Sequence, residues 1–305
     1  MSLFGTRRHA PLPAEGHIPG FEGATGWLNG PALIAEGLRG KVVLVDFWTY
    51  TCINWLRTLA YVRAWAEKYR DPGLVVVGVH TPEFPFERDV DNVRRAAEEM
   101  NVRYPIALDS EYAIWRAFSN RYWPAVYLAD ANGRIRHHQF GEGGYDDCER
   151  AIQQLLHEAA AEGVGDDLVS VTPEGFEAQA DWTNLRSPET YLGSAQGQNL
   201  ASRGGEIGVA STYAAPEMLM LNQWALAGDW TIRSRQSVLN SAEGRLAFRF
   251  HARDLHLVMG PPDAGKSVPF RVLVDDRPPG DARGLDVDEE GHGTLSQQRL
   301  YQLVR

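Results

Sequence analysis

Residues 42–59 read VVLVDFWTYTCINWLRTL. The first part, Val42 to Phe47, is a continuous apolar run broken once, by Asp46. Such runs belong to strands buried on both faces, as in sheets covered by helices. The second part changes period. Ile53, Leu56 and Ala60 recur at helical spacing, and Tyr61, Trp65 and Tyr69 form a second stripe. Cys52 stands at the junction, where a helix begins directly after a buried strand. The unpaired N–H groups and dipole of a helix head favour a thiolate over a thiol, so this position suits a nucleophilic sulfur. Asp46 lies six residues earlier in the strand. A carboxyl buried beneath a thiol has its pKa raised by desolvation and is a candidate proton acceptor; a strand-end Asp that is hydrated or caps a turn is the plainer alternative.

Working outward, the alternation of element types continues. Asp71-Pro72-Gly73 is a stop signal, and LVVVGV (74–79) is a second buried-strand run. A helix is expected near 86–100, a short strand over 105–108, and a short helix capped by Ser110. A strand over 125–129, the turn Asn132-Gly133 and a strand over 134–140 read as a hairpin, and a helix over 145–161 follows. Strands alternating with helices and closing in a hairpin predict an α/β domain with a mixed sheet and flanking helices over residues 1–163. Residues 1–40 are rich in Gly and Pro and only weakly periodic. Residues 164–180 are polar and read as a linker. From 181 to 305 the period is two: Leu246, Phe248 and Phe250 alternate with Arg245, Arg249 and His251, and Val268, Phe270, Val272 and Val274 repeat the pattern. Turn signals separate the runs. This predicts an all-β antiparallel sandwich, with its last strand or strands expected beyond Arg305.

Bulk properties narrow the function. The chain has 305 residues, enough for two domains, and 44% hydrophobic residues, enough for two cores. A net charge of −10 without a basic run argues against nucleic-acid binding. No apolar stretch is long enough to span a membrane, and the opening MSLFGTRRHAPLPAEG lacks the apolar core of a signal peptide. Two origins fit: a cytosolic protein, or a soluble piece of a longer exported or membrane-tethered parent. Cys52 and Cys148 are the only cysteines, which excludes a disulfide scaffold and a Cys-rich zinc site.

Trp123-Pro124 opens the strand AVYLAD. If that bond is cis, the backbone of residue 123 turns out beside the thiol and can pair with an extended chain; a trans-Pro at a loop–strand junction is the alternative. Taken together, Val45-Asp46-Phe47-Trp48, Cys52, and Trp123-Pro124 before a hairpin and final helix resemble the thioredoxin fold. More narrowly, FWTYTCIN…RTL…YVRAW and GVHTPEF resemble the DipZ-type thiol:disulfide interchange proteins, redoxin relatives of the TlpA/DsbE class. Residues 181–305 are similar to the β-sandwich, resembling carbohydrate-binding modules, that follows the redoxin domain in those proteins. The resemblance implies that Cys52 is the attacking cysteine, Asp46 the buried acid and Pro124 a cis-proline. It implies protein thiols and disulfides as partners, a membrane electron-transfer segment in a parent protein, an extracytoplasmic location and no cofactor. A cytoplasmic location is the alternative.

One residue departs from the family's Cys-x-x-Cys pattern: Trp55 stands where the second Cys belongs. A dithiol enzyme resolves its mixed disulfide with that second thiol. Cys148, at the start of the last helix, is expected far from Cys52, outside the roughly 7 Å that a disulfide allows between Cα atoms. Three readings follow. The chain is a monothiol exchanger resolved by an external thiol; or a peroxidase-like thiol, since Thr49-Tyr50-Thr51-Cys52 matches the Thr-x-x-Cys end of the peroxiredoxin loop, although that family's Pro falls at Val45; or a redox-inactive module binding an extended chain through Trp55, Trp123 and Pro124.

Other signals are set against plainer explanations. Residues 260–267, GPPDAGKS, match the phosphate-loop pattern, but a strand-like VPFRVLVDD follows where the mechanism needs a helix. His80, with Glu83, is a candidate tuner of the thiol and equally a structural histidine. His137 and His138 point to opposite faces of a strand and cannot share a metal, and no metal site is expected. Trp182, Tyr191, Trp224 and Trp230 are candidate sugar-stacking platforms or sandwich core.

Overall fold

The computed structural model describes residues 11–263 and 265–305. Residues 1–10, the start of the segment read above for a signal peptide, and Ala264 of the phosphate-loop-like stretch lie outside the described residues. The chain divides into two compact bodies. One comprises the residues up to 179 with 258–268 and 295–301; the other comprises 180–257, 269–294 and 302–305.

The first body has the thioredoxin-like fold. Its strands are β1 (Gly16–His17), β2 (Gly26–Leu28), β3 (Val42–Trp48), β4 (Leu74–His80), β5 (Ile106–Leu108), β6 (Ala125–Ala129) and β7 (Arg134–Phe140), and its helices are α1 (Ile53–Lys68), α2 (Val90–Glu99), α3 (Ala113–Ala117) and α4 (Tyr145–Glu158). They form one mixed sheet in the order β1-β7-β6-β3-β4-β5-β2. Central β3 runs parallel to β4 and antiparallel to β6. Both faces of β3 are covered. Val42, Leu44 and Trp48 join Trp55, Leu59, Val62, Ile152 and Leu155 of α1 and α4 in one core. Val43, Val45 and Phe47 join Val77, Val79, Ile114 and Phe118 in the other. This double burial is why the strand reads as unbroken apolar sequence. The period of two also places Asp46 on the α1 face, between Val126 of β6 and Gly78 of β4.

Local corrections have physical causes. The run expected as a helix over 86–100 is divided: a 3-10 turn spans Pro85–Arg88, and Asp89 then caps α2 by accepting from the N–H of Asp91 at 2.9 Å. Ser110 does not cap the following helix. The carboxylate of buried Asp109 accepts from the N–H groups of Ile114 and Trp115 at 3.0 and 2.8 Å, serving the orphan donors from further upstream. The 164–180 stretch is held on the helices. Val169 N–H donates to Glu149 of α4 at 2.9 Å, and Arg63 of α1 pairs with Glu177 at 2.7 Å.

The second body is built of antiparallel strands. β8 (Ser211–Tyr213), β10 (Ser237–Leu239) and β11 (Arg245–Phe248) all pair with β9 (Trp224–Ile232). Tyr213, Trp224, Leu226 and Ile232 form its core. Trp224 is therefore a core residue, while Trp182 is exposed. Further along the chain, β12 (Leu255–Met259) pairs with β15 (Arg299–Val304), and β13 (Val268–Arg271) with β14 (His292–Leu295). The phosphate-loop-like stretch leads into β13, a strand, so no helix head exists there to cradle a phosphate.

Candidate active site at the head of helix α1

Strand β3 delivers the chain to the C-terminal edge of the sheet, and Thr49–Thr51 turn it into α1. Cys52 N–H donates to Thr49 O at 3.2 Å, and Cys52 O accepts the first helical bond, from Leu56 N–H at 3.0 Å. Cys52 is thus the N-cap, with extended backbone (φ −80°, ψ 109°). Cys52 is partly exposed as a residue, and its sulfur donates to the carbonyl of Trp123 at 3.7 Å. The Trp123–Pro124 bond is cis. The Trp123 Nε1 donates to Thr81 O at 3.1 Å, and the ring packs on Trp115 with centroids 4.2 Å apart. The backbone carbonyl of residue 123 meets the thiol.

Trp55 occupies the interior. It is 0% exposed, so it offers a docked chain no surface, contrary to the expectation that it lines a binding ledge. Its ring stacks on Trp48 (4.4 Å, 23°), and its Nε1 donates to Asp46 Oδ2 at 3.0 Å. The helical stripes expected for α1 omitted Trp55, Leu59 and Val62, all of which are fully buried. Asp46 is also fully buried and accepts a second bond on Oδ2, from Tyr104 at 3.1 Å. Burial drives its carboxyl up to about 6, partly offset by the bonds from Trp55 and Tyr104. The indole therefore stands on the acid that the sequence assigned to the thiol.

Gly78 makes room for this arrangement. A Cβ there would fall 2.9 Å from Trp48 Nε1 and 3.0 Å from a ring carbon of Tyr104. Gly78→Ala is expected to cost about 1–3 kcal/mol by overpacking, read from denaturant midpoints; an unchanged midpoint would show that the two rings move aside freely.

His80 ends β4 beneath the site. Its ring meets Trp48 edge-on at 4.9 Å, and burial pushes its imidazole down to about 3, so it is neutral at pH 7 and supplies no charge to the thiol. The N–H of its proposed companion Glu83 donates to the carboxylate of Glu87 at 2.7 Å. Glu87, which the sequence reading missed, is the buried acid of this loop. Its spacing was a usable signal, since Glu at the third position of a helical turn commonly reaches back to the turn's first N–H, here Phe84 at 2.8 Å. Tyr104 and Gly78 carried no comparable signal. A further buried pair, Arg57 with Glu142 at 2.9 Å, fixes the first turns of α1. Neither cysteine is in a disulfide. Cys148 is buried against His137 (3.5 Å), and desolvation pushes its thiol up to about 12. Among the described residues no cluster of His, Cys, Asp and Glu could hold a metal ion.

Residues 28–155 match the Redoxin family model, and residues 187–305 match the model described as a thioredoxin-like C-terminal domain. Thiol-disulfide oxidoreductase YkuV of Bacillus subtilis is 33% identical over 141 residues, covering 46% of this chain and 95% of YkuV. The chain belongs to the redoxin family of thioredoxin-like thiol:disulfide interchange proteins. Protein DipZ of Mycobacterium tuberculosis is 39% identical over 254 residues, 82% of this chain. The chain spans about a third of DipZ's length, 36%. A solution structure of a thioredoxin-like protein in the oxidised form aligns with a TM-score of 0.44 at 34% identity, covering 47% of this chain and 96% of that one. Within this redoxin framework Cys52, its helix head and the Trp123–Pro124 turn are gathered at one edge. Asp46 and Trp55 lie beneath them, bonded to each other.

Proposed function

We propose that this chain is a monothiol exchange module of the redoxin family. The observation that carries the reading is the contrast at the head of α1: Cys52 is accessible, while Trp55, at the position of a second active-site thiol, is an interior indole. The Cys52 thiolate attacks one sulfur of a substrate disulfide. A Cys52–substrate disulfide forms, and the other substrate sulfur leaves as a thiolate. The cycle stops there until an external thiolate attacks the mixed disulfide, frees Cys52 and keeps the substrate sulfur. Cys148 is not that resolver, because its buried sulfur is held in the thiol form. Asp46 is the proton acceptor we assign to Cys52, and the backbone at Trp123–Pro124 the ledge on which an extended protein chain pairs.

The substrates are then protein thiols and disulfides, and the location extracytoplasmic, in keeping with the DipZ likeness. Among the described residues no helix is long and apolar enough to cross a membrane. A peroxidase reading rests on Thr49, which is fully buried and so poorly placed to hold a peroxide at an accessible sulfur. Incubation with oxidised glutathione is expected to add one glutathione per chain, at Cys52 and not Cys148, reversible by added thiol and located by mass spectrometry. No adduct at neutral pH would leave a redox-inactive binding module as the better reading.

A further inference from the structure

We propose that Glu87 is a positioning residue for the Cys52 thiol, acting through the hydroxyl of Thr51. This rests on the reading of Cys52 as an exchange nucleophile. The carboxylate of Glu87 is fully buried and divides its acceptor capacity between two segments. Oε1 takes the hydroxyl of Thr51 at 2.6 Å. Oε2 takes the N–H groups of Glu83 and Phe84 at 2.7 and 2.8 Å. Thr51 directly precedes the nucleophile. The loop that Glu87 organises reaches both sides of the site: Thr81 N–H donates to Trp48 O at 3.0 Å, and Thr81 O accepts from the indole of Trp123. The segment entering α1 and the turn carrying the Trp123 carbonyl are therefore both bonded to one loop.

Capping alone does not explain the acid. A capping interaction requires only the bond back to Phe84 N–H. The bond to Thr51 spans 36 residues and, at 2.6 Å, is at the short end for a hydroxyl donating to an oxygen. The bond from Cys52 N–H to Thr49 O closes this turn, and the Thr51 hydroxyl ties it to Glu87, so where Thr51 is held bears on the orientation of Cys52 at the helix head. The reactivity of a helix-head thiol depends on that orientation, because the amides act over the first turn only.

The test compares native-state alkylation of Cys52 by iodoacetamide, normalised to the rate of the same chain in denaturant. Thr51→Val removes the hydroxyl and leaves the bonds from Glu83 and Phe84 in place; its normalised rate is expected to fall about tenfold. Thr51→Ser restores the hydroxyl and is expected to recover the rate. Glu87→Gln keeps an acceptor for the two N–H groups and a polar partner for Thr51, and is expected to lie nearer wild type than Glu87→Leu. A fast wild type beside an equally fast Thr51→Val overturns the positioning role alone. Failure of Thr51→Ser to recover the rate overturns it too, since a shape effect is then responsible. A wild-type Cys52 no faster than in the denatured chain overturns the exchange reading and this role with it.

Discussion

Trp55→Cys is expected to turn a stoichiometric thiol into a catalytic disulfide reductase, raising turnover on a disulfide-linked peptide by roughly two orders of magnitude with dithiothreitol as electron source. The gain comes from replacing a bimolecular resolving step by an intramolecular one. It should come with a large loss of stability. The indole is fully buried against Trp48 and bonded to Asp46, and truncating a buried aromatic costs about 3–5 kcal/mol. Asp46 would keep Tyr104 as donor and lose the other. Trp55→Ala separates the two effects: it should lose comparable stability and gain no turnover. A folded Trp55→Cys chain that forms no bond to Cys52, or turns over no faster than Trp55→Ala, would show that the geometry for dithiol chemistry has gone along with the thiol.

The parts of this site that were legible in the sequence are those fixed by local chemistry. A buried strand running into a helix head can be read from Val42–Phe47 and the residues after Cys52, since both periods sit in one continuous stretch. Trp123-Pro124 is legible for the same reason, as a dipeptide at a strand start. The side of α1 that faces the core was harder. Ile53, Tyr61 and Trp55 are all apolar, and only the packing of α1 on β3 decides that Trp55 lies inside while Ile53 and Tyr61 remain half-exposed. The choice between Glu83 and Glu87 is of the same kind. Both acids stand in one loop four residues apart, and tertiary structure brings Thr51 to one of them. Ser110 was a good cap by propensity; Asp109 won because its two carboxyl oxygens serve two N–H groups at once. In the second body the strand period identified the class. The grouping of 258–268 and 295–301 with the first body left no trace in that period.

Asp46→Asn tests the interior charge directly, through pH. The carboxyl of Asp46 ionises near pH 6 in the folded chain, against an ordinary value of 3.8, because burial penalises the anion. Between these values the folded chain holds a proton that the unfolded chain has released, so stability must fall as pH rises across the window and level off above it. At 1.36 kcal/mol per pH unit, the gap amounts to roughly 3 kcal/mol. Asn cannot ionise. Its amide leaves a buried donor in place of Oδ1, a cost that does not depend on pH. Subtracting the two unfolding free energies cancels the other titrating groups, including Glu87, Glu142 and His80. The difference is therefore expected to move by about 2.4 kcal/mol in favour of Asn between pH 4 and pH 7.5, whatever its starting value, because the unfolded carboxyl is already more than half ionised at pH 4. A flat difference would mean that Asp46 is hydrated in solution and carries an ordinary pKa. The same variant bears on the chemistry. At neutral pH the wild-type acid is mostly ionised, so it is able to take a proton, although its bonded oxygen already serves Trp55 and Tyr104. A slower glutathione exchange in Asp46→Asn, with the deficit shrinking at alkaline pH where the thiol needs no base, is the result expected if Cys52 relies on it.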